Sequence, residues 1–128
     1  MAGYEDFREI VAWQLAHQIH LRVEIFLGCP EFRKYFTCCE QLSDAARSGP
    51  RNIAEGYGRF THQEFAQHVR IARGSEAQVL NHLIDAHHQR LISVDELRIN
   101  EWLAKRAMRA ASGLIRYLER TPDPPSAT

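Results

Sequence analysis

Apolar residues recur along this chain at the three- and four-residue spacing of an α-helix. Between Glu9 and Leu27, the residues Ala12, Leu15, Ala16, Ile19, Val23, Phe26 and Leu27 share one arc at 100° per residue. Gly28 and Pro30 then end that segment. A second stripe runs through Tyr35, Cys38, Cys39, Leu42, Ala45, Ala46, Gly49, Ile53, Tyr57 and Phe60. It keeps its phase across Pro50, which predicts one helix kinked there rather than two helices. Thr61, with Glu64 three residues on, predicts a capping box for a third helix that presents Phe65, Val69, Ala72, Val79, Leu80 and Leu83. Ser93 and Glu96 repeat the signal ahead of a stripe of Leu103, Ala104, Ala107, Ala110, Ala111, Leu114 and Leu118. The alternation of a strand is found nowhere.

The pattern predicts an all-α fold, an antiparallel up-down four-helix bundle spanning residues 1–121 with helix two kinked near Pro50. Residues 122–128, with three prolines, read as a disordered C-terminal tail. At 128 residues, 45% hydrophobic and 25% charged, the chain has the makeup of one globular domain. Its sixteen basic and sixteen acidic residues cancel, so no whole-molecule field draws it toward nucleic acid. No apolar run reaches the roughly 18 residues of a membrane span. The N-terminus lacks the basic flank and apolar stretch of a signal peptide. Cys29, Cys38 and Cys39 contain no CxxC pair and read as free thiols, which suits a cytoplasmic location.

Several segments occur in a characteristic order: Val11-Ala12-Trp13-Gln14-Leu15-Ala16, Gln41-Leu42, Ala45-Ala46-Arg47-Ser48, Asn52-Ile53-Ala54-Glu55-Gly56 and Ile71-Ala72-Arg73-Gly74-Ser75. In these the chain resembles the bacterial four-helix-bundle family named after the protein encoded in 23S rRNA intervening sequences. That family also includes the accessory variability determinant of diversity-generating retroelements. The resemblance spans about Phe7 to Leu118, and the segment Asn52 to Gly56 is its most specific part. It implies a small bundle that assembles into a ring, commonly a pentamer, and serves as an interaction module. The retroelement branch implies RNA and a reverse transcriptase as partners. The chain departs from the family pattern at Gly49, where a branched aliphatic is usual. It departs again at Glu76 and Gln78, where leucine and then glutamate are usual.

Opposite the apolar stripe of the last helix, Arg98, Lys105, Arg109, Arg116 and Arg120 fall within about 60° of one another, with Trp102 in the same sector. A cationic row with an aromatic is the equipment of a single-strand binder or of a site for an acidic protein, and it is equally the pattern of a plain solvated outer face. Glu101 and Glu119 flank it and offset part of its charge. Only Lys34 and Lys105 among the sixteen basic residues are lysines, and arginine favours bidentate contacts with phosphate or carboxylate. On the first helix Ile10, Trp13 and Leu21, with His17 between them, lie off the core stripe and read as a subunit interface.

Asn52 and Glu55, with Arg47, Arg51 and Arg59 nearby, read as structural groups around the proline, where the carbonyl of Ala46 loses its donor. Glu76 interrupts the core stripe of the third helix, so its carboxyl must be paired or protonated, or must line a polar opening. His17 and His20 share a helix side, but no Glu-x-x-His pair recurs on two helices and no His-Glu-x-x-His motif occurs. No arginine is followed at four to six residues by a histidine, the arrangement of some helical-bundle ribonucleases. The sequence thus predicts no catalytic residue, metal or cofactor, and a protein that acts by binding.

Overall fold

The structure, a computed structural model, describes residues 4–123. Among these residues stand four long helices and one short one: α1 (Val11–Leu27), α2 (Pro30–Arg33), α3 (Phe36–Tyr57), α4 (His62–His88) and α5 (Val94–Arg120). A single 3-10 turn, Phe7–Glu9, precedes them. Asp6 caps that turn, and its hydrogen bonds from the Arg8 side chain and backbone pull its pKa down to about 2.

Each long helix packs against two others, α1 and α4 each touching both α3 and α5. Cross-helix bonds run in opposite chain directions. Ser48 and Asn52 on α3 meet Ser75 and His68 on α4, and Arg70 and Arg73 on α4 meet Glu119 and Ser112 on α5. The fold is an antiparallel four-helix bundle.

The ends of the helices follow the local chemistry. Thr61 accepts the backbone N–H of Glu64, although the Glu64 side chain does not return the bond of a full capping box. Ser93 and Glu96 do form the reciprocal box at the start of α5. At the end of α4, Arg90 takes a left-handed conformation at φ 62°. The Leu91 N–H reaches the Ala86 carbonyl and the Arg90 N–H that of His87, which makes a Schellman motif without its usual glycine.

The core divides into two apolar clusters. One gathers Ile19, Val23, Phe26, Leu42, Val79, Leu83 and Leu103, closed by Phe32 of α2, whose ring stacks on Phe26 at 6.3 Å. The other gathers Ile10, Ala12, Ala16, Ile53, Phe65, Val69, Ala111, Leu114 and Leu118. Glu76, only 2% exposed, sits on α4 between the Val79 of the first cluster and the Ala72 of the second.

Helix α3 runs through Pro50 as one element, as the unbroken stripe predicts. Other sequence expectations change. The Asn52 amide donates to the carbonyl and hydroxyl of Ser48 rather than to the freed Ala46 carbonyl. Ile10 does not face outward: it is an extended residue before α1, turned inward by the 3-10 turn, and is 2% exposed. Phe60 lies beyond the end of α3 and is 92% exposed, so it leaves the core stripe. Asp123, assigned to the tail, accepts the His62 backbone N–H at 2.7 Å, while the His62 ring bonds the Thr121 carbonyl at 2.9 Å. The remainder of that tail, residues 124–128, lies outside the described residues.

Candidate nucleic-acid interface

Helix α5 buries Leu103, Ala107, Ala111, Leu114 and Leu118, so the opposite side must face solvent. Arg98, Trp102, Lys105, Arg109, Arg116 and Arg120 are all exposed there, as the periodicity predicts. The structure then sorts them. Lys105, Arg109 and Arg116 line a groove between α4 and α5 with Met108, Ser112 and Arg73. Arg98, Trp102 and Arg120 do not line it.

Arg73 is the residue the sequence did not assign to this surface. Its Nε donates to Ser112 Oγ at 2.8 Å, which fixes the guanidinium across the seam between the two helices. Lys105 is held by Glu101 one turn back, 2.9 Å from Nζ to Oε2. Glu119 turns instead to Arg70 of α4. Among the described residues, neither Arg109 nor Arg116 has a carboxylate within ion-pair distance. The groove therefore presents two unneutralised guanidiniums beside a third whose orientation is set by a hydroxyl. A planar guanidinium can grip phosphate or carboxylate oxygens with two N–H groups at once. Trp102 is partly occupied, because the Arg106 guanidinium lies 4.7 Å over its ring.

The proposed subunit surface also changes shape. Trp13 and His17 are half-buried and stacked at 4.6 Å, and the Phe7 ring meets Trp13 edge-on at 5.4 Å. Leu21 is exposed, at 50%. Four residues further on, Ile25 continues the same row and is 74% exposed. The outer row of α1 is thus Trp13, His17, Leu21 and Ile25, without Ile10. His20 bonds Glu24 rather than any second histidine. Among the described residues no three His, Cys, Asp or Glu side chains come together as metal ligands.

The segment Asn52-Ile53-Ala54-Glu55-Gly56 has a structural role on the α3–α4 interface. Ile53 enters the core, and Asn52 Oδ1 accepts from the His68 ring at 3.1 Å while its amide holds Ser48. At Gly56 a Cβ would lie 2.8 Å from the Phe65 ring and 3.2 Å from the Phe65 carbonyl, so only glycine lets the two helices approach that closely. Glu55 pairs with Arg59 at the surface. Cys38 and Cys39 are partly buried, and burial pushes both thiols up, away from the reactive thiolate.

No helix among the described residues is long and apolar enough to cross a membrane. Among curated proteins, none matches this chain. The sequence model of the 23S rRNA-intervening sequence protein family matches residues 8–113, from the 3-10 turn to about two turns before the end of α5. With most of the chain matched and the bundle in place, the protein belongs to the 23S rRNA-intervening sequence protein family.

Proposed function

We propose that this chain is a non-enzymatic, self-associating interaction module of the cytoplasm that holds RNA by its phosphates in the α4–α5 groove. One observation carries the reading: Arg73 of α4 converges with Lys105, Arg109 and Arg116 of α5 around Ser112. A chain of zero net charge thereby concentrates cations along one seam. Phosphate contacts of this kind position a polyanion without reading its bases. In a ring, the groove repeats once per subunit, and the repeated sites act together on one strand.

The test is a fluorescence-anisotropy titration of labelled RNA between about 50 and 200 mM salt. Binding is expected to weaken steeply with salt, with a log–log slope of roughly 0.7 per phosphate engaged on a single strand. Replacing Arg109 and Arg116 with glutamate is expected to abolish it while leaving helicity intact, since both side chains are exposed. No binding at low salt, or binding indifferent to both substitutions, overturns the reading.

A second reading, a structural or regulatory homo-oligomer that touches no nucleic acid, is favoured by the exposed Leu21 and Ile25 on α1. It predicts assembly in the absence of any RNA affinity.

A further inference from the structure

The middle of the core holds a carboxyl group with nothing to answer it. Both oxygens of Glu76 are buried, and neither has a hydrogen-bond partner among the described residues. Space for the group comes from Gly49 on α3, where a Cβ would collide with Glu76 Oε1. The methyl of Ala16 on α1 closes the notch, 3.4 Å from where that Cβ would stand.

The seam between the two core clusters falls here. It lies between Ala16 and Ile19 on α1, Ala46 and Ile53 on α3, Ala72 and Val79 on α4, and Ala107 and Ala111 on α5. None of those flanking residues can be charged. Nearby titratable side chains are engaged elsewhere: His20 of α1 and Arg47 of α3 both turn to Glu24. On α5, Arg109 lines the outer groove. On α4 itself, Arg73 is held by Ser112.

An ionised carboxylate in such a place is costly, whereas a neutral carboxyl is tolerated. We propose that Glu76 in the Gly49 notch is a proton-dependent latch at the middle of the bundle. Its neutral form lets α1 and α3 close over α4, and its ionisation loosens the helices along the seam between the two clusters.

Burial alone supports this by raising the Glu76 pKa from 4.5 to about 8. Below 4.5 the group is protonated in folded and unfolded chains alike, and the latch is fully closed. From there to about 8 the unfolded chain ionises first, so folding takes up a proton and stability falls as pH rises. Above about 8 the folded carboxyl is ionised as well, and the contribution is gone.

The test measures denaturant unfolding between pH 5 and 9 for the natural chain and for Glu76→Gln, which keeps the shape and removes the charge. Over that range the natural chain is expected to lose roughly a hundredfold or more in its folding equilibrium constant relative to the variant, at a factor of ten per shifted pKa unit. Contributions from every other group are common to both chains and cancel. Carbon-13 NMR of the Glu76 carboxyl in the natural chain gives a measure that does not need the variant to fold, and a midpoint above 6 is expected. Amide exchange from Ala46 to Ile53, relative to the variant, should rise above pH 8. A carboxyl that titrates in the ordinary range, equal pH slopes, or unchanged exchange each overturns the latch.

Discussion

Gly49 and Glu76 occupy complementary space: a Cβ on the glycine would overlap Oε1 of the glutamate and stand 3.2 Å from its Cδ. One stands on α3 and the other on α4, and the fold brings them into contact. A branched aliphatic at 49 and a leucine at 76 would fill the same volume with apolar atoms from both sides. Here the missing side chain at Gly49 leaves room for a carboxyl.

That complementarity predicts a change of sign. Gly49→Ala in the natural chain should destabilise the bundle by about 1–3 kcal/mol, the usual cost of overfilling a packed core. In a Glu76→Ala background the obstruction is gone, and the same substitution should stabilise by about 0.5–1 kcal/mol because alanine is the better helix residue. Chemical denaturation of the four chains in a double-mutant cycle checks it, and additive effects would show that the two residues do not share the space.

The turn after α4 offers a stabilising change. Arg90 holds φ 62° at a position where a side chain is strained and glycine is not. Arg90→Gly should raise stability by up to about 1 kcal/mol, since the relief of strain outweighs the added freedom of the unfolded chain. Thermal unfolding would register it as a rise in Tm of a few degrees, and a fall would mean that the Schellman motif is not strained.

On α1, the outer row offers a test of the proposed self-association that spares the fold. Trp13 is stacked on His17 and met edge-on by Phe7, so a charge placed there would disturb the bundle itself. Leu21 and Ile25 are exposed, and surface changes of that kind move monomer stability by only about 0.5 kcal/mol. Leu21→Glu with Ile25→Glu should therefore lower the mass of the assembly in light scattering coupled to gel filtration, with the helical circular dichroism unchanged. An assembly of unaltered mass would place the subunit contact elsewhere.

Periodicity and capping residues made the four long helices legible, because each stripe is long enough to fix its phase and Thr61 and Ser93 mark where two of them start. Phase fails at the edges of a helix. Ile10 looked peripheral on a wheel begun at Glu9, yet it is extended and turned inward; Phe60 looked central, yet the helix has already ended at Tyr57. The four residues of α2 are too few to show a period at all. A single helix also says nothing of its neighbour, which is why Arg73 was missing from the basic surface; Arg106, one turn after Trp102 on α5 itself, is within reach of that ring by spacing alone. Glu76 stood out because it breaks a stripe, but the glycine that accommodates it lies on another helix and only the fold pairs them.

The first and last described residues are tied to the same corner of the molecule. The Tyr57 hydroxyl holds the Tyr4 carbonyl at 3.0 Å, and His62, just across the α3–α4 turn, is held by Thr121 and Asp123. The α4–α5 turn lies at the far end of α4, roughly 40 Å away at 1.5 Å per residue. The order in which the helices are strung is thus separable from the order in which they pack. A circular permutant that joins the two tied ends and opens the chain between Gln89 and Ile92 would keep every long helix whole.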